Sequence, residues 1–202
     1  MKEAAEALYQ EEYFEYLYQR NSFRKFIRQF YLKNIARFCI GKTIDFGCGI
    51  GNLLHYLPQG SMGLEINPVA VAYCQQHEIP VSLYHPSEDQ YNLSSIEPGV
   101  FKSFTMNHVL EHLDESYQTI EKLFETCHRL EIERIVFTVP GKKGFDSDKT
   151  HMTFIDRSYF EKHGLFADPR YRLRKSYYFP FNTSFMSRFF VHNELRLIFD
   201  KR

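Results

Sequence analysis

Apolar residues along the chain recur with two spacings, and the two spacings alternate. Short runs of β-branched and aromatic residues, typical of buried strands, are separated by longer stretches with the three- or four-residue repeat of amphipathic helices. The pattern predicts strands at 43–46, 61–65, 81–84, 101–106 and 134–139, and helices at 3–20, 22–38, 53–57, 68–77 and 116–129. Two further strand-like runs, 171–178 and 194–200, follow.

Strands that alternate with helices in this way predict a parallel sheet with right-handed crossovers. The predicted fold class is therefore α/β, a doubly wound sheet preceded by N-terminal helices. The chain has 202 residues, 44% of them apolar, with 20 Phe and 14 Tyr. This length and composition suit one domain with a sizeable core.

A glycine-rich turn follows the first predicted strand. Residues 43–54 read TIDFGCGIGNLL, so glycines stand at 47, 49 and 51, and Glu65 lies twenty positions after Asp45 at the end of the next strand. Glycine lets a ligand approach the main chain, and a carboxylate on the next strand can accept hydrogen bonds from ribose hydroxyls. No Gly-Lys-Ser/Thr closes the turn, which excludes a P-loop, and the spacing differs from the dinucleotide fingerprint. The turn predicts a nucleoside-cofactor site.

The D-x-G-x-G-x-G pattern beginning at Asp45 resembles motif I of the class I S-adenosylmethionine-dependent methyltransferases, and the resemblance extends over residues 40–154. It implies a Rossmann-like, mostly parallel sheet of seven strands, closed by the antiparallel pair 171–178 and 194–200. It also implies a single methyltransferase domain over 1–202, with a helical cap at 1–38 and the sheet-containing core at 39–202.

The resemblance implies a set of residues that bind S-adenosylmethionine. The chain departs from the family at the third strand, which usually ends in an acidic residue, and Lys102 stands where the fourth strand of the related branch often starts with Asp. Ser87 and Glu88 are the candidates to replace the missing acid. The implied cofactor-binding residues are Asp45, Gly47, Cys48, Gly49, Gly51, Glu65, Ile66, Ser87, Glu88, Asn107 and His108.

Two later segments carry histidines where the methyl acceptor is expected. Residues 107–113 read NHVLEHL and residues 150–156 read THMTFID, and both resemble segments of quinone-biosynthesis O-methyltransferases. An imidazole can accept a proton from a hydroxyl at neutral pH. The predicted catalytic residues are Glu111, His112 and His151.

The same segments predict a metal site. On a helical turn His108, Glu111 and His112 would share one face, and His151 could join them from the loop after the fifth strand. Three imidazoles and a carboxylate can hold a divalent metal. Similar sets occur in quinone O-methyltransferases and in the RNA 3′-terminal 2′-O-methyltransferases called Hen1, although His108 stands where those families more often place an acid.

Two other interpretations of the histidine segment stay open. Glu111 and His112 could brace the turn without any metal. The string from His108 to His112 also matches the H-x-x-E-H pattern of inverted zinc peptidases. Its position after a fourth parallel strand favours the methyltransferase interpretation.

The predicted function is methyl transfer to a hydroxyl, or alternatively an amine, of a small-molecule or lipid-linked acceptor. Metal-assisted methylation of an RNA ribose 2′-hydroxyl is a second hypothesis, and a catalytically silent cofactor-binding regulator is a third. Aromatic residues at 179–190 suit an apolar acceptor, whereas Lys142, Lys143, Lys149 and Arg157 suit a charged nucleotide.

Charge and cysteine usage complete the expectations. A formal net charge of zero does not favour nucleic acid, although 20–37 is basic and predicts either a solvated helix face or a docking surface for RNA, anionic lipid or a phosphorylated substrate. Four scattered cysteines predict reduced thiols, and the start lacks a signal-peptide apolar stretch. With no apolar run of membrane-spanning length, we expect a cytoplasmic protein. The oligomeric state is not indicated by the sequence.

Overall fold

The computed structural model describes residues 22–202. The predicted helix at 3–20 lies outside the described residues. The sheet has seven strands in the order β3-β2-β1-β4-β5-β7-β6, and it confirms the predicted α/β class. The strands are β1 (Thr43–Phe46), β2 (Met62–Glu65), β3 (Val81–Leu83), β4 (Ser103–Asn107), β5 (Arg134–Pro140), β6 (Tyr171–Phe179) and β7 (Glu194–Lys201).

The first five strands are parallel, and β7 inserts antiparallel between β5 and β6. In this register Phe46 of β1 is level with Leu64 of β2 and with Met106 of β4. The three strands therefore end at the same edge of the sheet, and the residues that follow them are brought close together.

Within residues 22–202, six helices accompany the sheet. They are α1 (Ser22–Ala36), α2 (Pro68–Gln76), α3 (Pro86–Asp89), α4 (Ser116–Arg129), α5 (Lys142–Asp146) and α6 (Arg157–Lys162). Short 3₁₀ turns occupy Leu54–Tyr56, Leu110–His112, Leu165–Ala167 and Met186–Arg188. The described residues include no helix with the length and hydrophobicity needed to cross a bilayer.

Both faces of the sheet are covered because alternate residues of each strand point to opposite sides. On β5, Ile135 and Phe137 belong to the large core cluster against which α4 packs, whereas Val136 between them joins Tyr31 and Ile35 of α1 on the other face. All three β5 residues are completely buried. This burial on both sides explains the nearly continuous apolar sequence of β5.

The predicted helix at 53–57 is wrong. Only a 3₁₀ turn forms there, and Leu57 has φ −91° and ψ 158°, which is extended backbone. Proline disfavours the helical conformation of the residue before it, so Pro58 ends any helix at this point. The glycine turn after β1 therefore runs into an irregular connection.

Candidate functional site

The carboxyl ends of β1 and β4 lie side by side, where the strand order reverses. Chain connections from β1 lead toward β2 and β3, and those from β4 lead toward β5. Such a switch point opens the crevice in which α/β sheets bind their ligands. Most of the predicted site residues stand at the ends of these strands or directly after them.

The turn after β1 requires glycine at two positions. Gly47 and Gly51 have φ values of 70° and 72°, in the left-handed region that glycine enters at little cost. A Cβ on Gly47 would lie 2.4 Å from Cγ2 of Val109, and one on Gly51 would lie 2.6 Å from Cγ2 of Ile79. Conformation and space both exclude a side chain, and the contact with Val109 joins this turn to the loop after β4.

Glu65 ends β2 with its carboxylate directed at the glycine turn. Its Oε2 accepts a hydrogen bond of 2.7 Å from the N–H of Gly49, and its Oε1 accepts from the N–H groups of Ile66 at 2.9 Å and Asn67 at 3.0 Å. The residue is only 5% exposed. An ionised carboxylate has about four acceptor positions, so three bonds fix Glu65 and still leave capacity for a ribose hydroxyl.

Asp45 and Asn107 form a buried pair at the ends of β1 and β4. Nδ2 of Asn107 donates to Oδ1 of Asp45 at 3.3 Å and to Oγ1 of Thr105 at 2.9 Å. Burial raises the pKa of Asp45 to about 7; the hydrogen bond from Asn107 opposes this shift, and the charge of Glu65 adds to it. Oδ1 of Asn107 is buried without a hydrogen-bond partner among the described residues, so it remains available to a ligand.

The raised pKa of Asp45 predicts a pH-dependent stability difference. Between about pH 4 and pH 7 the folded protein holds a proton that the unfolded chain has released, so ionisation destabilises the fold as pH rises. Asp45→Asn removes this group. Relative to wild type, the variant's thermal midpoint should rise by several degrees between pH 4.5 and pH 8, measured by calorimetry without cofactor. The exposed Asp114→Asn serves as control, and parallel curves for wild type and Asp45→Asn would contradict the burial of a titrating Asp45.

The remaining predicted cofactor residues occupy different surroundings. Ile66 is 58% exposed directly after β2, and Ser87 and Glu88 are exposed on α3, which follows β3. Cys48 is buried beneath the turn, where a Cβ on Gly63 would lie 2.4 Å from its Sγ. Their contact with a cofactor stays a prediction.

His108 does not lie on a helical turn, so the predicted shared face of His108, Glu111 and His112 is wrong. The N–H of His108 donates to the carbonyl of Thr138 on β5 at 2.9 Å, which continues the pairing of β4 with β5 for one more residue. The chain then reverses with φ 56° at His108, and only Leu110–His112 form a 3₁₀ turn.

The ring of His108 is hydrogen-bonded on both sides. Nδ1 lies 3.2 Å from Oε1 of Glu111, and Nε2 lies 3.1 Å from Oε1 of Glu194. Partial desolvation lowers the pKa of His108, whose side chain is 42% exposed, but the charge of Glu194 and the hydrogen bonds with both carboxylates outweigh it and raise the pKa to about 10. His108 therefore stands apart from the metal set predicted for it, because both of its nitrogens already have partners.

Glu111, His112 and His151 come together as predicted from the two segments. One ligand atom from each lies within 4.8 Å of the others, and Nε2 of His151 is 4.0 Å from Oε1 of Glu111. Glu111 is 1% exposed, and its Oε2 has no hydrogen-bond partner among the described residues. A buried carboxylate oxygen without a donor is costly, which makes this cluster a candidate for binding a cation.

Backbone contacts hold both histidines in place. Nδ1 of His151 lies 2.9 Å from the carbonyl of Phe145, and Nδ1 of His112 lies 3.3 Å from the carbonyl of Thr150. A carbonyl only accepts, and the Thr150 hydroxyl, 3.2 Å from Nδ1 of His112, already donates to Asp148. The hydrogen is therefore assigned to Nδ1 in both rings, which leaves Nε2 to accept a proton or ligate a metal. The N–H of Met152 donates to the carbonyl of Glu111 at 2.8 Å and ties the two segments together.

Glu194 and Arg196 are site residues that the sequence patterns did not indicate. Arg196 is completely buried, and its Nη2 lies 3.2 Å from Oε2 of Glu194. Arg196 also bonds to the side chain of Asn34, which links α1 to the position of His108. The available signal was two charged residues at alternate positions of the otherwise apolar run 194–199, since charges inside a buried strand need partners.

Comparisons with known proteins agree with this geometry. Residues 44–132 match a family model described as a methyltransferase domain. No curated protein is similar enough in sequence to match the chain.

Several solved structures share the fold. A SAM dependent methyltransferase from Archaeoglobus fulgidus has 17% identity and a TM-score of 0.65 over 95% of this chain and 99% of that one. The small RNA methyltransferase HEN1 has 19% identity and a TM-score of 0.63 over 89% of this chain but only 25% of that one. Magnesium protoporphyrin IX methyltransferase from Synechocystis PCC 6803, solved with bound SAH, has 16% identity and a TM-score of 0.59 over 91% and 89%. Residues 44–132, which include the glycine turn, therefore match a methyltransferase domain, and the chain shares its fold with a solved SAM dependent methyltransferase.

Proposed function

We propose that the protein transfers the methyl group of S-adenosylmethionine to a hydroxyl of a small-molecule or lipid-linked acceptor. The observation that carries this proposal is the cluster of Glu111, His112 and His151 beyond the ends of β4 and β5. Val109, two residues before Glu111, packs beside Gly47, so the cluster adjoins the cofactor turn. A hydroxyl must lose its proton as it is methylated, and an imidazole or a metal at this position assists that loss.

The cluster also fits a divalent metal, which Glu111, His112 and His151 would hold. The buried Oε2 of Glu111 lacks a partner, and both imidazoles are oriented by carbonyls that leave Nε2 free. One carboxylate and two imidazoles are a common ligand set for Mn²⁺, Fe²⁺ and Zn²⁺. Bound there, a divalent cation would lower the pKa of a hydroxyl and fix its direction.

The exposed aromatic residues near the C-terminal strands support an acceptor with an apolar part. Phe181, Phe185 and Phe189 are 46%, 63% and 64% exposed in the connection between β6 and β7. The formal net charge is zero, so the chain as a whole has no field that would attract a polyanion. Both features favour a small or lipid-linked hydroxyl compound over a long nucleic acid.

Chelation tests the metal part of the proposal. Treatment with a chelator should lower the rate of S-adenosylhomocysteine formation at least about tenfold, and Mn²⁺ or Zn²⁺ should restore it. Calorimetry of S-adenosylmethionine binding is the control and should give the same affinity with and without chelator. Full turnover in the chelated enzyme would contradict the metal, and cofactor binding with no product from any hydroxyl acceptor would contradict the transferase function.

Methylation of an RNA ribose 2′-hydroxyl is the second candidate function. The metal-ligand cluster favours it, together with the shared fold of the small RNA methyltransferase HEN1. A short RNA with free 2′- and 3′-hydroxyls at its end should then be methylated in a metal-dependent reaction, and the same RNA lacking its terminal 2′-hydroxyl should not. Turnover of small hydroxyl compounds without turnover of RNA would reject this candidate.

A further inference from the structure

A cavity lined largely by polar residues lies beside the proposed metal cluster. Its volume is about 770 Å³, and it is lined by the starts of α5 and α6, the end of β6 and the connection between β6 and β7. Three cations, Lys142, Arg157 and Arg188, line it together with one carboxylate, that of Asp156. Lys142 is paired with Asp146, so the excess of positive charge in the lining comes from the two arginines, although the chain as a whole is neutral.

The two arginines keep their charge available. Neither Arg157 nor Arg188 forms an ion pair among the described residues, and both are exposed. The guanidinium of Arg157 lies 5.5 Å from the centre of the Phe166 ring, a contact that supports it without neutralising it. Asp156 uses Oδ1 to accept from the N–H of Tyr159 at 2.9 Å, which commits that oxygen to the start of α6.

Hydroxyl and amide groups complete the lining. Oγ of Ser176 is buried without a hydrogen-bond partner among the described residues, and a buried hydroxyl of this kind needs an acceptor. Asn182 accepts from the N–H of Tyr178 through its Oδ1 at 3.2 Å, so its Nδ2 remains a donor. Convergent arginines and neutral donors match the several oxygens of a phosphate group.

Aromatic contacts connect this cavity to the metal cluster. Lys142 places Nζ 5.3 Å from the centre of the Phe154 ring and 5.6 Å from that of Phe145. The ring of His151 stacks on Phe145 with centroids 5.4 Å apart, and Phe145 contacts Phe154 at 5.3 Å. Because Phe154 also lines the cavity, these two phenylalanines connect the cavity with His151, and the two places are neighbours.

We propose that this cavity binds a phosphate group and that the methyl acceptor carries it. The second half of this inference rests on the proposed function, because it assigns the phosphate to the molecule that is methylated. The phosphate anchors the acceptor at Arg157 and Arg188 while its hydroxyl lies beside Glu111 and the histidines. A phosphate monoester on a soluble metabolite and one on a lipid headgroup present the same chemistry to the cavity.

Titration of inorganic phosphate into the full chain tests the binding site directly. Calorimetry in a buffer with chelator should give an affinity at least about tenfold weaker for the double variant Arg157→Gln, Arg188→Gln than for wild type. Arg172→Gln, an exposed arginine at the opposite end of β6, should stay within about twofold. Equal affinity in the double variant, an equal loss in Arg172→Gln, or equally tight binding of acetate would overturn the phosphate site.

Turnover tests the assignment to the acceptor. Each active hydroxyl compound is compared with its phosphorylated form, and the double variant should raise KM for the phosphorylated form alone, at least about tenfold, with kcat and cofactor affinity unchanged. Equal KM values for both forms in wild type would overturn the assignment. Absence of turnover with every acceptor would count against the proposed function. The phosphate titration would then still show whether the cavity binds phosphate.

Vesicles distinguish the two sources of phosphate. Sedimentation with phosphatidylcholine vesicles containing phosphatidic acid, in which wild type binds and the double variant does not, identifies a lipid headgroup. Phosphate-dependent turnover of a soluble monoester, with no vesicle binding, identifies a soluble acceptor. Vesicle binding that is equal in wild type and the double variant would overturn the cavity as the phosphate-recognition site on lipid.

Discussion

Replacing Glu65 with alanine is expected to weaken S-adenosylmethionine binding by about 100-fold or more. The carboxylate accepts from the N–H groups of Gly49, Ile66 and Asn67 in a site that is only 5% exposed. The variant should lose the predicted ribose acceptor and also the carboxylate that holds these three backbone N–H groups, so we expect the cofactor turn itself to loosen. Isothermal titration calorimetry measures the affinity directly.

Two further variants make this result specific. Glu121→Ala removes an exposed glutamate from α4 and should leave cofactor affinity within about twofold of wild type, since exposed side chains away from a site contribute little. Glu65→Gln keeps the shape but places an amide where two N–H groups point, and its affinity should lie between those of wild type and Glu65→Ala. A folded Glu65→Ala protein with wild-type affinity would remove Glu65 from the cofactor site.

The strands and the helix α4 could be predicted from local sequence because their buried residues recur at regular spacing along the chain. The α4 helix was predicted with the bounds Ser116–Arg129 that the structure shows, since its apolar residues recur at helical spacing and end in the core. The predicted bounds of β1 are likewise the observed ones, because its four consecutive residues are all buried and the glycine turn follows directly. Glu65 and the glycines could also be predicted as site residues, because all of them lie in the single connection from β1 to the end of β2.

The features that the sequence did not predict depend on contacts between distant segments. The turn at His108 has φ 56° because its N–H continues the pairing with Thr138 of β5, and no local propensity indicates a histidine in that conformation. Glu194 lies 86 positions after His108 and can bond to its ring only because β7 pairs with β5 in the sheet. Such packing outweighs the helical spacing from which the shared face was inferred.

No α-helix follows the glycine turn, and this changes which groups we expect to bind the cofactor. A helix at 53–57 would have offered its free N–H groups to the ligand, but only a 3₁₀ turn forms before Pro58. We therefore expect cofactor binding at this edge to depend more on Glu65, Asp45 and Asn107, which are held by hydrogen bonds to neighbouring strands and turns. For this reason we expect Glu65 to be among the most sensitive positions for the cofactor.

Glu111→Gln is expected to lower turnover by about 100-fold or more while cofactor affinity stays within about twofold of wild type. Glutamine preserves the size of this 1% exposed side chain, but it removes the negative charge that the metal needs and that His108 and His151 face. Because the carbonyl of Glu111 still accepts from Met152, the loop that carries His151 should keep its position. The loss should therefore appear in kcat and not in folding.

Measurement of Mn²⁺ binding by electron paramagnetic resonance distinguishes a Glu111 that ligates a metal from a Glu111 that only braces His108. Wild type and Glu115→Gln, an exposed carboxylate on the same segment, should bind the ion, and Glu111→Gln should not. If Glu111 only braced His108, neither wild type nor the variant would bind Mn²⁺, and chelator would leave kcat unchanged. Mn²⁺ binding that survives Glu111→Gln would place the ion elsewhere, because a buried carboxylate with an unpartnered oxygen is the strongest ligand that this cluster offers.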